Sequence, residues 1–383
     1  MSMSGQNFTA PFIPSPLERK RNGARIIIAG GGTGGHIFPA IAVANALKKL
    51  DENVTILFVG ASGKMEMEKV PQAGYNIKGI TISGFNRSSL FSNISLPFKV
   101  LKSFFQVRNI FNAFNPDAVF GVGGYSSYPV LRLAQTFNIP TFLHESNAFA
   151  GKSNMMLSRK AKKVFVATDG MQKFFPKEKI VITGNPVRAS IADNTVDVIT
   201  AKRSFGLLED KVTVFAMGGS LGAKTINEAI DAGLKKIYEN NLQLIWQTGK
   251  LYIDKAKEAT GKYDGVWVND FITGMENAYS AADIVISRSG AMSVTELCIS
   301  AKPVIFVPYP FAAEDHQTAN AKALVDKHAA ILVKDEDAKN DLINEIIALA
   351  EDASKRLTLA ENIQKLARRN ADIQIATLIL ENI

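Results

Sequence analysis

What most constrains this chain is an alternation: short apolar runs of strand length separated by helix-length amphipathic stretches, with the first run of each series passing straight into a glycine-rich turn. RIIIAG (25–30), TILFVG (55–60), DAVFGVGG (117–124), TFLHE, KVFVAT and KIVITG make a first series. After a pause near Pro186, VTVFAMGG (212–219), LQLIWQTG, VWVNDF, DIVISRSG and PVIFVPYP make a second. Such punctuation specifies βαβ units and parallel strands. Because each series restarts with a strand and a glycine turn, the expected class is α/β, with two Rossmann-like domains and a deep cleft between them rather than one long sheet. A length of 383 residues agrees, since single cores usually stop growing well short of it. The expected division is a flexible extension over 1–24, a first domain over 25–186, and a second over 187–361, with GNPVR (184–188) as hinge. Beyond the strand-like ILV near 331 the pattern is helical, and a last helix at about 362–383 is expected to cross back onto the first domain.

Composition removes several classes. Hydrophobic residues at 46% and charged residues at 21% are ordinary globular usage, which excludes a mostly disordered chain. One cysteine, Cys298, forms no internal disulfide, and with four histidines it supplies no Cys-rich zinc site; in ELCISA it reads as a small core residue. No apolar run reaches the roughly 18 residues that cross a bilayer, and the N-terminal charges follow the apolar residues, the reverse of a secretory signal. The net charge of +8 conceals an imbalance: residues 1–190 hold 23 Lys and Arg against 9 Asp and Glu, while 191–383 hold 21 against 27. A basic first half implies a polyanionic partner: nucleic acid, anionic lipid headgroups or a phosphorylated substrate.

Three glycine turns carry the chemistry. GGGTGGH (30–36) joins a strand to an Ala-rich helix and lines the turn with main-chain N–H groups, a geometry that binds phosphate or serves as a tight turn. Gly30, Gly32 and Gly35 also satisfy G-x-G-x-x-G, but the next strand ends in Gly60-Ala61-Ser62 without the acid that a dinucleotide ribose requires. MGGSLGAK (217–224) stands at the same place in the second series, and GVGGYSSYP (121–129) lets main chain approach a ligand closely. SRSGAMSVTE (287–296) sets Glu296 about two turns into a helix, where a carboxylate takes two sugar hydroxyls, and offers Arg288 and the N–H groups of Ala291 and Met292 to a diphosphate. His144-Glu145 reads equally as a buried structural pair or as catalytic.

With GGGTGGHIFPA, GVGGYSSYP, HESNAFAG, GNPVR, GGSLGA, SRSGAMSVTE and EDHQTANA in order over about residues 25–370, the chain closely resembles the family of UDP-N-acetylglucosamine transferases of peptidoglycan synthesis. The resemblance implies a glycosyltransferase-B fold and transfer of N-acetylglucosamine, with inversion, to the C4 hydroxyl of N-acetylmuramyl-pentapeptide-pyrophosphoryl-undecaprenol (lipid I), giving lipid II. It implies that Thr33, Gly34 and Gly35 lie near the donor sugar and acceptor pyrophosphate, with His36 beside them as candidate base. Asn147 and Gln317 then contact the donor sugar, Arg188 and Ser220 the donor, the backbone of Ile272 the uracil, and Ala291, Met292, Ser293, Val294, Thr295 and Glu296 the ribose and diphosphate. Leu221, where many members carry Gln, and Tyr128 depart from the family pattern.

A histidine such as His36 takes a proton near neutrality, though one ending a glycine loop also donates to phosphate or caps its helix. No D-x-D motif occupies a suitable loop, so helix N-termini and arginine are expected to steady the leaving diphosphate, with no metal and no cofactor. Expected partners are UDP-N-acetylglucosamine, lipid I and an anionic membrane surface, not nucleic acid. The protein is expected to sit peripherally on the cytoplasmic face of the inner membrane, through Phe85, Leu90, Phe91 and Phe98 with Lys99 and Lys102. The competing readings are a UDP-sugar transferase with another lipid acceptor, a nicotinamide oxidoreductase needing the absent acid near 61, and a nucleic-acid-binding protein.

Overall fold

The computed structural model describes residues 23–84, 96–219, 222–312 and 315–383. The extension up to residue 22 and, among the expected site residues, Phe85, Leu90, Phe91 and Ser220 lie outside the described residues. The chain forms two compact units, one of residues up to Ser146 with Ala150–Pro186 and Asn370–Ile383, the other of Asn147–Phe149 with Val187–Arg369.

In the first unit β1 (Arg25–Ala29), β2 (Thr55–Ala61), β3 (Asn76–Ile80), β4 (Ala118–Gly121), β5 (Thr141–Glu145), β6 (Lys163–Val166) and β7 (Ile180–Ile182) form one sheet in the order β3-β2-β1-β4-β5-β6-β7. Every pairing is parallel, as short runs linked by helical crossovers demand. After Arg25 the central strand is apolar because it is covered on both faces: Ile26 and Ile28 enter the core on one face, Ile27 and Ala29 the core on the other, and none of the four is exposed.

The second unit repeats the plan. Its strands are β8 (Thr213–Met217), β9 (Gln243–Gln247), β10 (Val266–Asn269), β11 (Ile284–Ser287), β12 (Val304–Phe306) and β13 (Ile331–Leu332), ordered β10-β9-β8-β11-β12-β13 and again all parallel. Phe215 and Met217 face one core, Val214 and Ala216 the other. On the second face, helices Lys224–Glu239 and Ala338–Glu351 pack so closely that a Cβ on Gly233 would stand 2.3 Å from Ile343 Cδ1.

The helical tail differs from its expected boundary. Helix Ala353–Gln364 still belongs to the second unit, the change of unit falls at Asn370, and the last helix is Ala371–Glu381. Ile375, Ala376 and Ile379 of that helix are fully buried in the first unit's core beside helix Gly34–Leu50. Among the described residues no helix is long and apolar enough to cross a membrane.

Candidate active site

Strand order decides where each unit binds. In the first unit the order reverses between β1 and β4, and in the second between β8 and β11. In such sheets ligands bind at the carboxyl ends of the strands flanking the reversal. The turns leaving β1 and β4, 30–33 and 122–126, and the flanks of the one leaving β8, 218–219 and 222–223, belong to the three glycine turns singled out in the sequence, and the turn leaving β11, 288–290, opens SRSGAMSVTE.

In the first unit the two turns press on each other. A Cβ on Gly124 would lie 2.5 Å from the Gly31 carbonyl oxygen, and one on Gly30 would lie 2.4 Å from Val122 Cγ2. The close approach read at Gly123 and Gly124 as room for a ligand is first of all room for the neighbouring turn, and both residues have positive φ, 96° and 81°. Thr33 starts helix Gly34–Leu50 with extended backbone and no side-chain cap, and no acidic residue occupies the first turn, which leaves the end electropositive. Thr33 Oγ1 lies 3.3 Å from His36 Nδ1. On the other side of that ring Nε2 lies so near Gly123 that a Cβ there would come within 2.9 Å.

One acid went unrecognised in the sequence. Glu66, five residues past the end of β2, turns back beneath the first glycine turn. Its Oε2 accepts the Gly32 N–H at 2.9 Å and its Oε1 the Ala61 N–H at 2.9 Å, and the residue is buried. The carboxylate is thus engaged with the protein's own main chain rather than presented to a ribose.

His144 and Glu145, at the end of β5, are both buried. His144 Nε2 lies 3.3 Å from the Gly184 carbonyl and Nδ1 3.4 Å from Ser146 Oγ. Glu145 Oε2 accepts from the Gly151 N–H at 3.0 Å and from Asn154 Nδ2 at 2.9 Å. These bonds favour the structural reading of the pair.

In the second unit the expected donor residues converge. Arg188 Nη2 meets Glu296 Oε1 at 3.0 Å, so GNPVR and SRSGAMSVTE close on one ion pair, half-exposed at the arginine and buried at the carboxylate. The other oxygen, Oε2, accepts from the Tyr279 hydroxyl at 3.0 Å. Tyr279 is completely buried; burial first, then the Glu296 charge and hydrogen bond, push its hydroxyl well above the ordinary tyrosine range, so it stays a donor. Two bonds leave a carboxylate with unused lone pairs on each oxygen. Tyr279 was not legible as a partner, since its strand-separated position gives no spacing signal.

Helix Ala291–Ser300 begins at Gly290, an extended residue with open space where a Cβ would stand, and carries neither a side-chain cap nor an acid in its first turn. Met292 and Val294 pack partly into the core, Ser293 is half-buried, and Thr295 Oγ1 donates to the Ala291 carbonyl at 2.9 Å. Arg288 departs from expectation: Nη1 donates to the carbonyls of Val307 (2.9 Å) and Pro308 (3.1 Å) and pairs with Asp335, which turns the guanidinium into the unit instead of toward a diphosphate.

Gln317 Oε1 accepts from the Tyr309 N–H at 3.0 Å, and its carbonyl accepts from Ser289 Oγ at 2.8 Å. Buried Asn320, unselected in the sequence although EDHQTANA contains it, ties this turn together. Its Nδ2 donates to the Ser289 carbonyl (3.0 Å) and to Asn147 Oδ1 (3.3 Å), and its Oδ1 accepts from the Ala148 N–H (2.9 Å). Ile272 buries its side chain in the loop after β10. The second glycine turn is described on its flanks only: Gly219 has φ 78° and open space at Cβ, while a Cβ on Gly222 would meet the Thr248 carbonyl oxygen at 2.1 Å.

Comparison with known proteins bears on this arrangement. The N-terminal domain description of glycosyltransferase family 28 matches residues 26–166 and the C-terminal domain description residues 213–375. The UDP-N-acetylglucosamine–N-acetylmuramyl-(pentapeptide) pyrophosphoryl-undecaprenol N-acetylglucosamine transferase of Parabacteroides distasonis is 48% identical over 359 residues, covering 93% of this chain and 98% of its own. The protein of that name from Phocaeicola vulgatus is 50% identical over 346 residues, 90% of this chain and 92% of its own. The crystal structure of Acinetobacter baumannii MurG superposes with a TM-score of 0.75 at 29% identity, over 94% of this chain and 99% of that one.

Proposed function

The chain belongs to glycosyltransferase family 28 and, within it, to the UDP-N-acetylglucosamine–N-acetylmuramyl-(pentapeptide) pyrophosphoryl-undecaprenol N-acetylglucosamine transferases, and from that membership we propose which of its residues perform the reaction. The protein is a hexosyltransferase of peptidoglycan synthesis that moves N-acetylglucosamine from UDP-N-acetylglucosamine to lipid I, forming lipid II.

The Arg188–Glu296–Tyr279 cluster carries the residue assignment. A buried carboxylate held from two sides keeps its orientation in the absence of ligand, and its remaining lone pairs accept the two ribose hydroxyls of the donor. The uncapped start of helix Ala291–Ser300, at the point where strand order reverses, takes the diphosphate. The Ile272 main chain reads uracil, Gln317 and Asn147 hold the donor sugar, and Ser220 contributes from the second glycine turn.

In the transfer step the C4 hydroxyl oxygen of the acceptor forms a bond to the anomeric carbon as the bond from that carbon to the UDP phosphate oxygen breaks, inverting the centre. UDP departs with the bonding electrons, and the hydroxyl proton needs a base. With His36 Nδ1–H donating to Thr33 Oγ1, Nε2 carries the lone pair that accepts it. Arg188 is paired and Arg288 turned inward, so helix N-termini remain the chief stabilisers of the leaving diphosphate, and activity is expected to persist in excess EDTA. The acceptor is lipid-linked, and we assign the basic first unit to its pyrophosphate and to the anionic cytoplasmic membrane surface.

The test is donor affinity. Glu296→Ala should raise the KM for UDP-N-acetylglucosamine at least about tenfold, since it removes charge-assisted bonds and strands the buried Tyr279 hydroxyl, while Glu296→Gln should lose less. Unchanged UDP affinity in Glu296→Ala would remove Glu296 from the ribose.

A further inference from the structure

We propose that Glu66 is the resident anion of the first glycine turn, a positioning residue that takes the Gly32 main-chain donor, of the kind a nucleotide phosphate takes in dinucleotide-binding turns, ties it to the end of β2 and thereby holds Thr33 and His36 in their working places.

The geometry is specific. Gly30, Gly31 and Gly32 all have positive φ (151°, 150° and 89°), so the turn has a shape other residues do not adopt readily. Glu66 fills its underside: a Cβ on Gly31 would come 2.3 Å from Oε1, and one on Gly60 would come 2.5 Å from Cγ. The glycines thus make room for this carboxylate. Glu66 is 1% exposed, and a buried carboxylate is tolerated only where hydrogen bonds replace water. Those bonds come from Gly32, the residue before Thr33, and from Ala61 at the end of the neighbouring strand, so the carboxylate bridges the turn to β2. The turn continues through Thr33 into the helix that carries His36. Any rotation of the Gly32 peptide is therefore passed to the Thr33–His36 contact.

Two consequences follow from a resident anion. Unit 1 keeps the G-x-G-x-x-G pattern yet offers Gly32 to no dinucleotide, which confines nucleotide recognition to the second unit. Transfer also depends on a residue that touches no substrate. The second consequence rests on the reading of His36 given above.

The test compares wild type with Glu66→Gln and Glu66→Ala, and runs His36→Ala alongside. Gln keeps the volume but faces one main-chain N–H with its own NH2, so kcat should fall about tenfold or more, while the donor KM stays within about twofold and UDP still raises the thermal midpoint. Glu66→Ala opens two N–H groups; sodium acetate or inorganic phosphate, against chloride at equal ionic strength, should raise its thermal midpoint and restore part of its kcat, with neither effect in wild type. Wild-type kcat in Glu66→Gln, or loss of the UDP shift together with kcat, would overturn the positioning role. Anion effects identical in Glu66→Ala and wild type would overturn the resident anion. If His36→Ala keeps wild-type turnover, the base assignment fails, and the anion-dependent midpoint of Glu66→Ala still decides whether Glu66 fills the turn.

Discussion

At the scale of single residues, buried His144 gives the chain a pH signature. Burial above all, with a smaller contribution from the His36 charge and opposed by the hydrogen bond to Gly184, brings its imidazole down to about 4. An unfolded histidine takes a proton near pH 6.5, so as pH falls from there toward 4 the unfolded state gains a proton that the folded state refuses. Stability present above about pH 6.5 is lost across that window, by about 3 kcal/mol in total. Urea unfolding followed from about pH 7 to about pH 4.5 should show this decline, and His144→Gln should flatten it; an unaltered slope would assign the decline to other groups. Candidate residues were legible where a motif is contiguous, as with Glu296 or Gln317, to which we assign the donor. Glu66 and Tyr279 were not, because each acts by folding back across a strand or helix onto a partner, and no period in the sequence records such a contact.

At the scale of elements, helix Leu96–Phe114 stands out. Its buried side is Ser103, Val107 and Phe111, at helical spacing, and its other side exposes Phe98 (75%), Leu101 (58%) and Phe105 (60%). Lys102 is exposed on the same side, while Lys99 Nζ reaches Ser83 Oγ at 3.3 Å. Aromatic residues beside lysine suit insertion into a headgroup layer, each cation near an anionic surface adding about 1 kcal/mol that salt screens. Vesicle co-sedimentation should need anionic lipid and weaken with salt, and Phe98→Ser with Leu101→Ser, Phe105→Ser and Lys102→Glu should release the protein while UDP binding persists. Undiminished sedimentation would move the membrane face elsewhere. Leu101 and Phe105 were missed because the sequence marks a helix's apolar residues without saying which of two apolar sides the sheet covers. The strands were legible for the converse reason: a parallel strand covered on both faces is apolar along its buried run, as Ile26–Ala29 and Val214–Met217 are. The tail was legible as helical but misplaced in its start, since 353–364 and 371–381 carry similar apolar spacing and only packing assigns them to different units.

At the scale of the molecule, two units with similar sheets hold unlike charge, and the residues we assign to the donor belong to the less basic unit. UDP should therefore raise the thermal midpoint and NAD should not; at a hundredfold excess over its Kd, UDP should add about 2.7 kcal/mol. An equal shift with NAD would refute the assignment of nucleotide binding to the second unit. The connectivity reaches beyond equilibrium. The first unit draws its core from residues 24–181 and again from 373–383, with Ile375 and Ile379 filling the space beside helix Gly34–Leu50. During synthesis the ribosome delivers the whole second unit before those isoleucines emerge. The first unit must then wait, most of its sheet already made and one side of its core unfilled, while the later-born unit has every residue it needs. The order of birth and the order of completion are thus reversed, and the half we assign to the membrane is the last to be finished.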